Sequence, residues 1–292
     1  MSLVSSDGPT AADYSELPWL EVANPGIRLG KIRHGVFDFD GTISVIRQGW
    51  EQVMIPLMVQ MICDGRPAPP EIEKEVADYV DRSTGILTIK QMRWLEEAVQ
   101  RYGFSSSPRT ARQYKTIYNE RLLKPVRERM RVLSDREESI DALAIVGARN
   151  LVRELCARGV TLYLASGTDH VYVLEEATAL GVAEFFGGRI FGARDDSESC
   201  TKERIIQRIM DEHGLVGEEL LVVGDGPVEI RNAKARGAVT LGVAADEERR
   251  MGLDPRKRGR LLAAGADLIV TDLGHFVALA DMLVGPRSPE TT

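Results

Sequence analysis

His34-Gly-Val-Phe-Asp-Phe-Asp-Gly-Thr42 is the stretch on which the reading of this chain turns. An apolar run meets two acids and then a glycine, which is how a buried strand reaches the carboxyl edge of a parallel sheet. Asp38 and Asp40 are separated by one residue, so in extended backbone their side chains point to the same side of the pleat. Gly41 lets the chain turn sharply, and Thr42 adds a hydroxyl. Two carboxylates held this close repel each other. The arrangement is stable when one of them is protonated or a cation sits beside them. A capped turn carrying surface acids is the plainer alternative, and the apolar strand leading straight into Asp38 argues against it.

Working outward, four more segments read as buried strands: Val160–Ala165, followed by Ser-Gly-Thr-Asp; Glu219–Val223, followed by Gly-Asp-Gly-Pro; Val239–Val243; and Asp267–Val270. Helix-period segments lie around them at 147–158, 170–181, 201–213, 227–236, 256–264 and 274–284. Strand and helix alternate, so the expected fold is α/β, a doubly wound parallel sheet of the Rossmann-like kind. Ligands in such sheets bind just beyond the carboxyl ends of the strands, so the polar tails of three strands are expected to converge. Residues 48–146 break the alternation, with helical candidates near 49–63, 70–82, 88–102 and 107–122. They are expected to form an inserted all-helical cap domain. The core domain is then 34–47 and 147–292, preceded by an amino-terminal extension over 1–33 whose first 14 or so residues read as a flexible tail.

The first segment resembles motif one of the haloacid dehalogenase superfamily, and the other motifs follow in order. Ser166 ends a strand, Lys202 opens a helix in Cys200-Thr-Lys-Glu-Arg, and Gly224-Asp-Gly-Pro-Val-Glu229 follows the next strand. Singly, a capping serine and a solvated lysine would look the same; four motifs in order, each at a strand end or helix start, would not. The resemblance covers residues 34–47 and 147–284, closest to the phosphoglycolate phosphatase and β-phosphoglucomutase-like branch with a helical cap in the first position.

The resemblance implies roles. Asp38 is the expected nucleophile, forming an aspartyl-phosphate, and Asp40 the general acid and base. Mg2+ is expected on the Asp38 carboxylate, the Asp40 main-chain carbonyl and Asp225, an all-oxygen set. Ser166, Lys202 and the backbone N–H groups of Gly41 and Gly167 are expected to grip phosphoryl oxygens, with Thr42 supporting the first loop. The family's motif four commonly has aspartate where this chain has Glu229, which ranks below Asp225 as a metal ligand. The presence of Asp40 disfavours dehalogenase and phosphonatase branches, and the cation pumps carry Lys there. The expected activity is hydrolysis of a small phosphorylated metabolite, such as a sugar phosphate or a phosphoglycolate-like acid. A phosphomutase of the β-phosphoglucomutase type and a non-catalytic binding protein on the same fold are the alternatives.

A lid of helices suits small substrates. Arg47, Lys90 and Arg93 are candidate specificity residues. Residues 109–131 carry eight Arg or Lys against two Glu, which reads as a solvated helix face or as a positive funnel. A net charge of -7 gives no general reason to bind nucleic acid or an anionic membrane. No run approaches a membrane span or a signal peptide, and three scattered cysteines, read as buried thiols, suggest no disulfide framework, so a cytoplasmic protein is expected. The four histidines show no metal spacing.

Overall fold

The computed structural model describes residues 8–131, 133, 137–194 and 201–286. The far amino-terminal residues and Cys200 lie outside them. Among the described residues, seven strands form one sheet in the order β1-β7-β6-β5-β2-β3-β4. They are β1 (Leu20–Val22), β2 (His34–Phe37), β3 (Thr161–Asp169), β4 (Ile190–Ala193), β5 (Leu220–Gly224), β6 (Val239–Val243) and β7 (Leu268–Val270). All neighbours are parallel except β1 on β7.

The helices are α1 (Trp50–Cys63), α2 (Pro70–Arg82), α3 (Thr88–Tyr102), α4 (Ala111–Arg131), α5 (Glu137–Asp141), α6 (Ala148–Ala157), α7 (His170–Ala179), α8 (Ala183–Phe186), α9 (Lys202–His213), α10 (Pro227–Lys234), α11 (Pro255–Ala264) and α12 (Phe276–Val284).

The central strands are buried on both faces, and their alternation assigns each face a helical layer. Phe37, Leu164 and Val223 share one cluster with Leu151 and Leu155 of α6 and Leu279 and Leu283 of α12. Val36, Tyr163 and Val222 share another with Ile205, Ile206 and Ile209 of α9. Adjacent residues therefore serve opposite layers, which is why these strands read as unbroken apolar runs. In register, Phe37 lies beside Leu164 on one side and Val223 on the other. β2 and β5 thus end side by side, so that Asp38 and Asp225 follow together, while β3 runs on beside them through Ser166 to Asp169.

Three expectations need correction. The amino-terminal extension is part of the sheet: β1 pairs antiparallel with β7, and Ala23 and Asn24 donate backbone N–H groups to the Asp267 carbonyl. Pairing of this kind covers an otherwise open sheet edge. The fourth helix of the insertion starts at Ala111 and runs through Pro125 to Arg131 rather than stopping near 122. A proline inside a helix removes one hydrogen bond, and burial of Leu122, Leu123 and Val126 around it offsets that loss. Cys156 is exposed, whereas Cys63 is buried.

Between β2 and β3 the chain leaves the sheet for α1–α5. The outgoing and returning segments run side by side: Ser44 bridges Ala144, and Val45 N–H donates to Leu143 O while Ile145 N–H donates to Ile43 O, each at 2.9 Å. Among the described residues no helix is long and apolar enough to cross a membrane.

Gly147, where the return ends and α6 begins, has φ +77 and lies against the backbone of Leu273 and Gly274. Gly147→Ala combines a left-handed backbone with a collision against an immobile carbonyl. Stability is expected to fall by at least about 2 kcal/mol. Urea unfolding measures this as a lower midpoint at unchanged slope, and an unchanged midpoint would contradict it.

Candidate active site

The β2 ladder extends one residue past the strand, where Asp38 N–H donates to Val223 O at 2.9 Å. That places Asp38 at the carboxyl edge, 7% exposed. Its Oδ1 accepts from Phe39 N–H at 2.8 Å, and its Oδ2 lies 2.7 Å from Lys202 Nζ. Burial pushes the Asp38 carboxyl well above the usual range, against the pull of the Lys202 ammonium, and Glu229 and Asp225 add to the rise. Burial also works to discharge Lys202, but Asp38 and Glu229 outweigh it and hold the ammonium above an ordinary lysine. Lys202 is therefore a fixed cation at the first residue of α9, with Glu229 Oε2 at 3.0 Å on its other side.

Gly41 turns the chain with φ +75, and a Cβ there would collide with the Asp225 carboxylate. Only glycine satisfies both the backbone angle and the space. Thr42 Oγ1 donates to Asp225 Oδ1 at 3.3 Å, tying the first loop to the one that follows β5. Glu229 Oε1 accepts from Gly226 N–H at 2.8 Å, closing the first turn of α10. Asp38, Asp225 and Glu229 present oxygens within 4.8 Å of one another. An all-carboxylate donor set of this size fits a hard divalent cation.

Asp40 faces the next strand. Its Oδ2 accepts from Ser166 Oγ at 3.1 Å and from Thr168 Oγ1 at 3.0 Å, while its Oδ1 is buried with no hydrogen-bond partner. Ser166, Gly167 and Thr168 lie where the β3–β4 register shifts, so the strand bulges at the site.

The insertion closes over these groups. A Cβ on Gly85, in the α2–α3 loop, would lie 2.6 Å from Glu229 Oε2 and 3.3 Å from Lys202 Nζ, and Gly167 packs against the Ile86 carbonyl. Between insertion and sheet lies a cavity whose lining includes Asp38, Asp40, Ser166, Lys202 and Asp225. Trp50, Tyr118 and Tyr172 supply aromatic walls, and Gln91 and Asn119 supply polar ones.

The haloacid dehalogenase-like hydrolase family matches residues 32–237. The chain belongs to that family. A 5'-nucleotidase of Pseudomonas aeruginosa is 26% identical over 208 residues, covering 71% of this chain and 80% of that one. A protein named as a predicted phosphatase from Clostridium acetobutylicum shares the fold with a TM-score of 0.55 at 16% identity, covering 86% of this chain and 99% of that one. A protein named as a predicted phosphoglycolate phosphatase from Haemophilus somnus does so at 0.54 and 15%, covering 85% and 98%.

The structure of this haloacid dehalogenase-like hydrolase brings Asp38, Asp40, Gly41, Thr42, Ser166, Gly167, Lys202, Asp225 and Glu229 to one place. It separates the three specificity candidates. Arg47 lines the cavity, but its guanidinium is paired with Glu176. Lys90 lines a neighbouring groove, and Arg93 is exposed. Along α4, Lys115 pairs with Asp169 at the cavity rim and Arg129 turns inward, so the basic run is divided among separate tasks.

Among the described residues, three further ion pairs beside the site were not read from the sequence. Lys257 lies 2.8 Å from Asp225 Oδ2 and 2.7 Å from Glu247 Oε1. Glu176 takes both sides of the Arg47 fork. Each had a signal. Lys257 shares a helical stripe with Leu261 and Ala264, and Glu176 with Val173, Ala177 and Leu180, all of them buried. A charge placed on an apolar stripe is a charge with a buried partner.

Asp225→Asn is expected to leave the fold intact and weaken Mg2+ or Mn2+ binding by more than about 10-fold, the lower bound for disturbing even a supporting group of a metal site. Calorimetric titration measures this, and unchanged affinity would remove Asp225 from the metal site.

Proposed function

We propose that this chain is a Mg2+-dependent phosphatase of small phosphorylated metabolites, working through an aspartyl-phosphate on Asp38. The observation that carries the reading is the division of labour between the two acids of motif one. Asp38 is buried against a fixed ammonium, while Asp40 keeps one oxygen without a partner at the cavity. The name of the Pseudomonas aeruginosa relative, 5'-nucleotidase, supports phosphate-ester hydrolysis.

In the first step an Asp38 carboxylate oxygen bonds to phosphorus, the ester P–O bond breaks, and the leaving oxygen takes a proton from Asp40. In the second, water gives a proton to Asp40 as its oxygen bonds to phosphorus. The P–O bond to Asp38 breaks, releasing phosphate and restoring both acids. Lys202 offsets negative charge on the phosphoryl oxygens, joined by the Ser166 hydroxyl and the N–H groups of Gly41 and Gly167. A divalent cation on the Asp38 and Asp225 carboxylates and the Asp40 carbonyl would lessen the repulsion between carboxylate and phosphate. Glu229 supports the site by holding Lys202. The α2–α3 loop packs against Lys202, Glu229 and Gly167 at one side of the cavity, which suits a metabolite-sized ester and limits the access of bulk water to the acyl-phosphate. Trp50, Tyr118 and Tyr172 would meet the part of the substrate beyond the phosphate, with Lys90 and Arg93 outside that contact.

The test is a panel of phosphorylated sugars, nucleotides and short acids with Mg2+, read as phosphate release without any bisphosphate activator. Turnover of at least one member is expected, and Asp38→Asn should lower kcat on the order of 10⁴-fold or more, as for loss of a covalent nucleophile, with thermal unfolding unchanged. No release from any member would overturn the reading, and turnover that requires a bisphosphate would make the enzyme a mutase.

A further inference from the structure

Arg47 lies in the segment that carries the chain from the sheet into the helical insertion, and only 5% of it is exposed. Its guanidinium is held from several sides. Nε donates to both Glu176 oxygens at 3.1 Å, and Nη2 donates to Oε1 at 2.6 Å. The Tyr172 ring centroid lies 5.5 Å from Cζ. The backbone on either side is fixed as well, because Arg129 of α4 donates to the carbonyls of Ile46 and Gln48, each at 2.7 Å. A guanidinium fork filled by a carboxylate is committed to that carboxylate rather than turned toward a substrate phosphate.

What Arg47 does reach is Asp40. Nε stands 3.8 Å from Oδ1, the oxygen that is buried and accepts no hydrogen bond. The other oxygen, Oδ2, is taken by Ser166 and Thr168. A planar carboxylate drawn from one end by two hydroxyls and from the other by a fixed charge has one preferred rotamer. At 3.8 Å the guanidinium attracts without donating a hydrogen bond, so it leaves the Oδ1 lone pairs open. Glu176, 1% exposed, holds the guanidinium in place and balances its charge.

We propose that Arg47, locked by Glu176, is a positioning residue for Asp40, turning Oδ1 to the oxygen of the ester being cleaved and then to the attacking water. The proposal rests on the phosphatase reading above, in which Asp40 donates and later accepts the proton. Because Arg129 ties the Arg47 backbone to α4, the seating of the insertion reaches Asp40 through this same residue.

The test compares leaving groups. An Arg47→Gln/Glu176→Gln double variant removes both buried charges, which is tolerated far better than removing one. A single Arg47→Lys variant keeps the charge and loses the fork. On the alkyl phosphate that the wild type turns over fastest, both should lose kcat by about 30- to 300-fold, around the lower end of what general acid–base catalysis contributes, while KM moves less than about twofold. On p-nitrophenyl phosphate, whose leaving group departs without a proton, the first-turnover burst should keep its wild-type rate and be followed by slow turnover as water attack lags. A burst rate that falls by the same factor as the alkyl kcat would reduce Arg47 to a structural role and overturn the proposal. A rise in KM at unchanged kcat would make Arg47 a substrate-binding residue and overturn it equally. If the wild type releases phosphate from neither substrate, the phosphatase reading fails first and takes the proposal with it.

Discussion

The structure depends on keeping several carboxylates in one dry place. Asp38, Asp225, Glu229 and Glu176 are all buried, and Glu247 and Asp40 stand beside them. Carboxylates so crowded would drive one another to take up protons or to turn outward unless cations were built in. The chain supplies three: Lys202 between Asp38 and Glu229, Lys257 between Asp225 and Glu247, and Arg47 between Glu176 and Asp40. Each cation spans two acids, so no acid of the set is left to face the others alone. Asp38, Asp225 and Glu229 still bring their oxygens within 4.8 Å of one another, close enough to share a cation.

Small residues make that packing feasible. Gly41 gives way to Asp225, Gly85 to Glu229 and Lys202, and Gly167 to the Ile86 carbonyl. The insertion comes within contact distance of the charged cluster because those positions carry no side chain. Closure of the α2–α3 loop on Lys202 and Glu229 lowers the local dielectric, which strengthens every charge interaction inside. The lid and the electrostatics are therefore one design: charges balanced in pairs can be covered, and covering them makes their placement count for more.

Much of this was legible in the sequence. The buried strands announced themselves as apolar runs ending in polar residues, and the alternation with helices set the sheet. Motif one placed Asp38 and Asp40 on one side of a strand end, and Lys202 and Asp225 followed at a helix start and a strand end. Less legible were β1 and β4. Leu20–Val22 has only three residues and contains an acid, and Ile190–Ala193 contains a glycine, so neither shows the length or alternation that marks a strand. The proline at 125 also hid the last part of α4, because a helix-breaking residue was outweighed by tertiary packing. Lys257 escaped because it lies in the basic stretch Arg256-Lys-Arg-Gly-Arg260, where only the helical phase distinguishes the inward lysine from its solvated neighbours. For Arg47, position in the sequence gave the right neighbourhood, but its partner Glu176 lies 129 residues away, a pairing that spacing cannot reveal.

The deciding event is where the phosphoryl group goes when it leaves the substrate. Acid quench during turnover of p-nitrophenyl phosphate with Mg2+, followed by borohydride reduction and mass spectrometry, reads that position directly, since an acyl-phosphate at aspartate is reduced to homoserine. The arrangement around Lys202 and Asp225 predicts homoserine at position 38 and at no other acid. Homoserine at another position, or steady phosphate release with none formed, would contradict it.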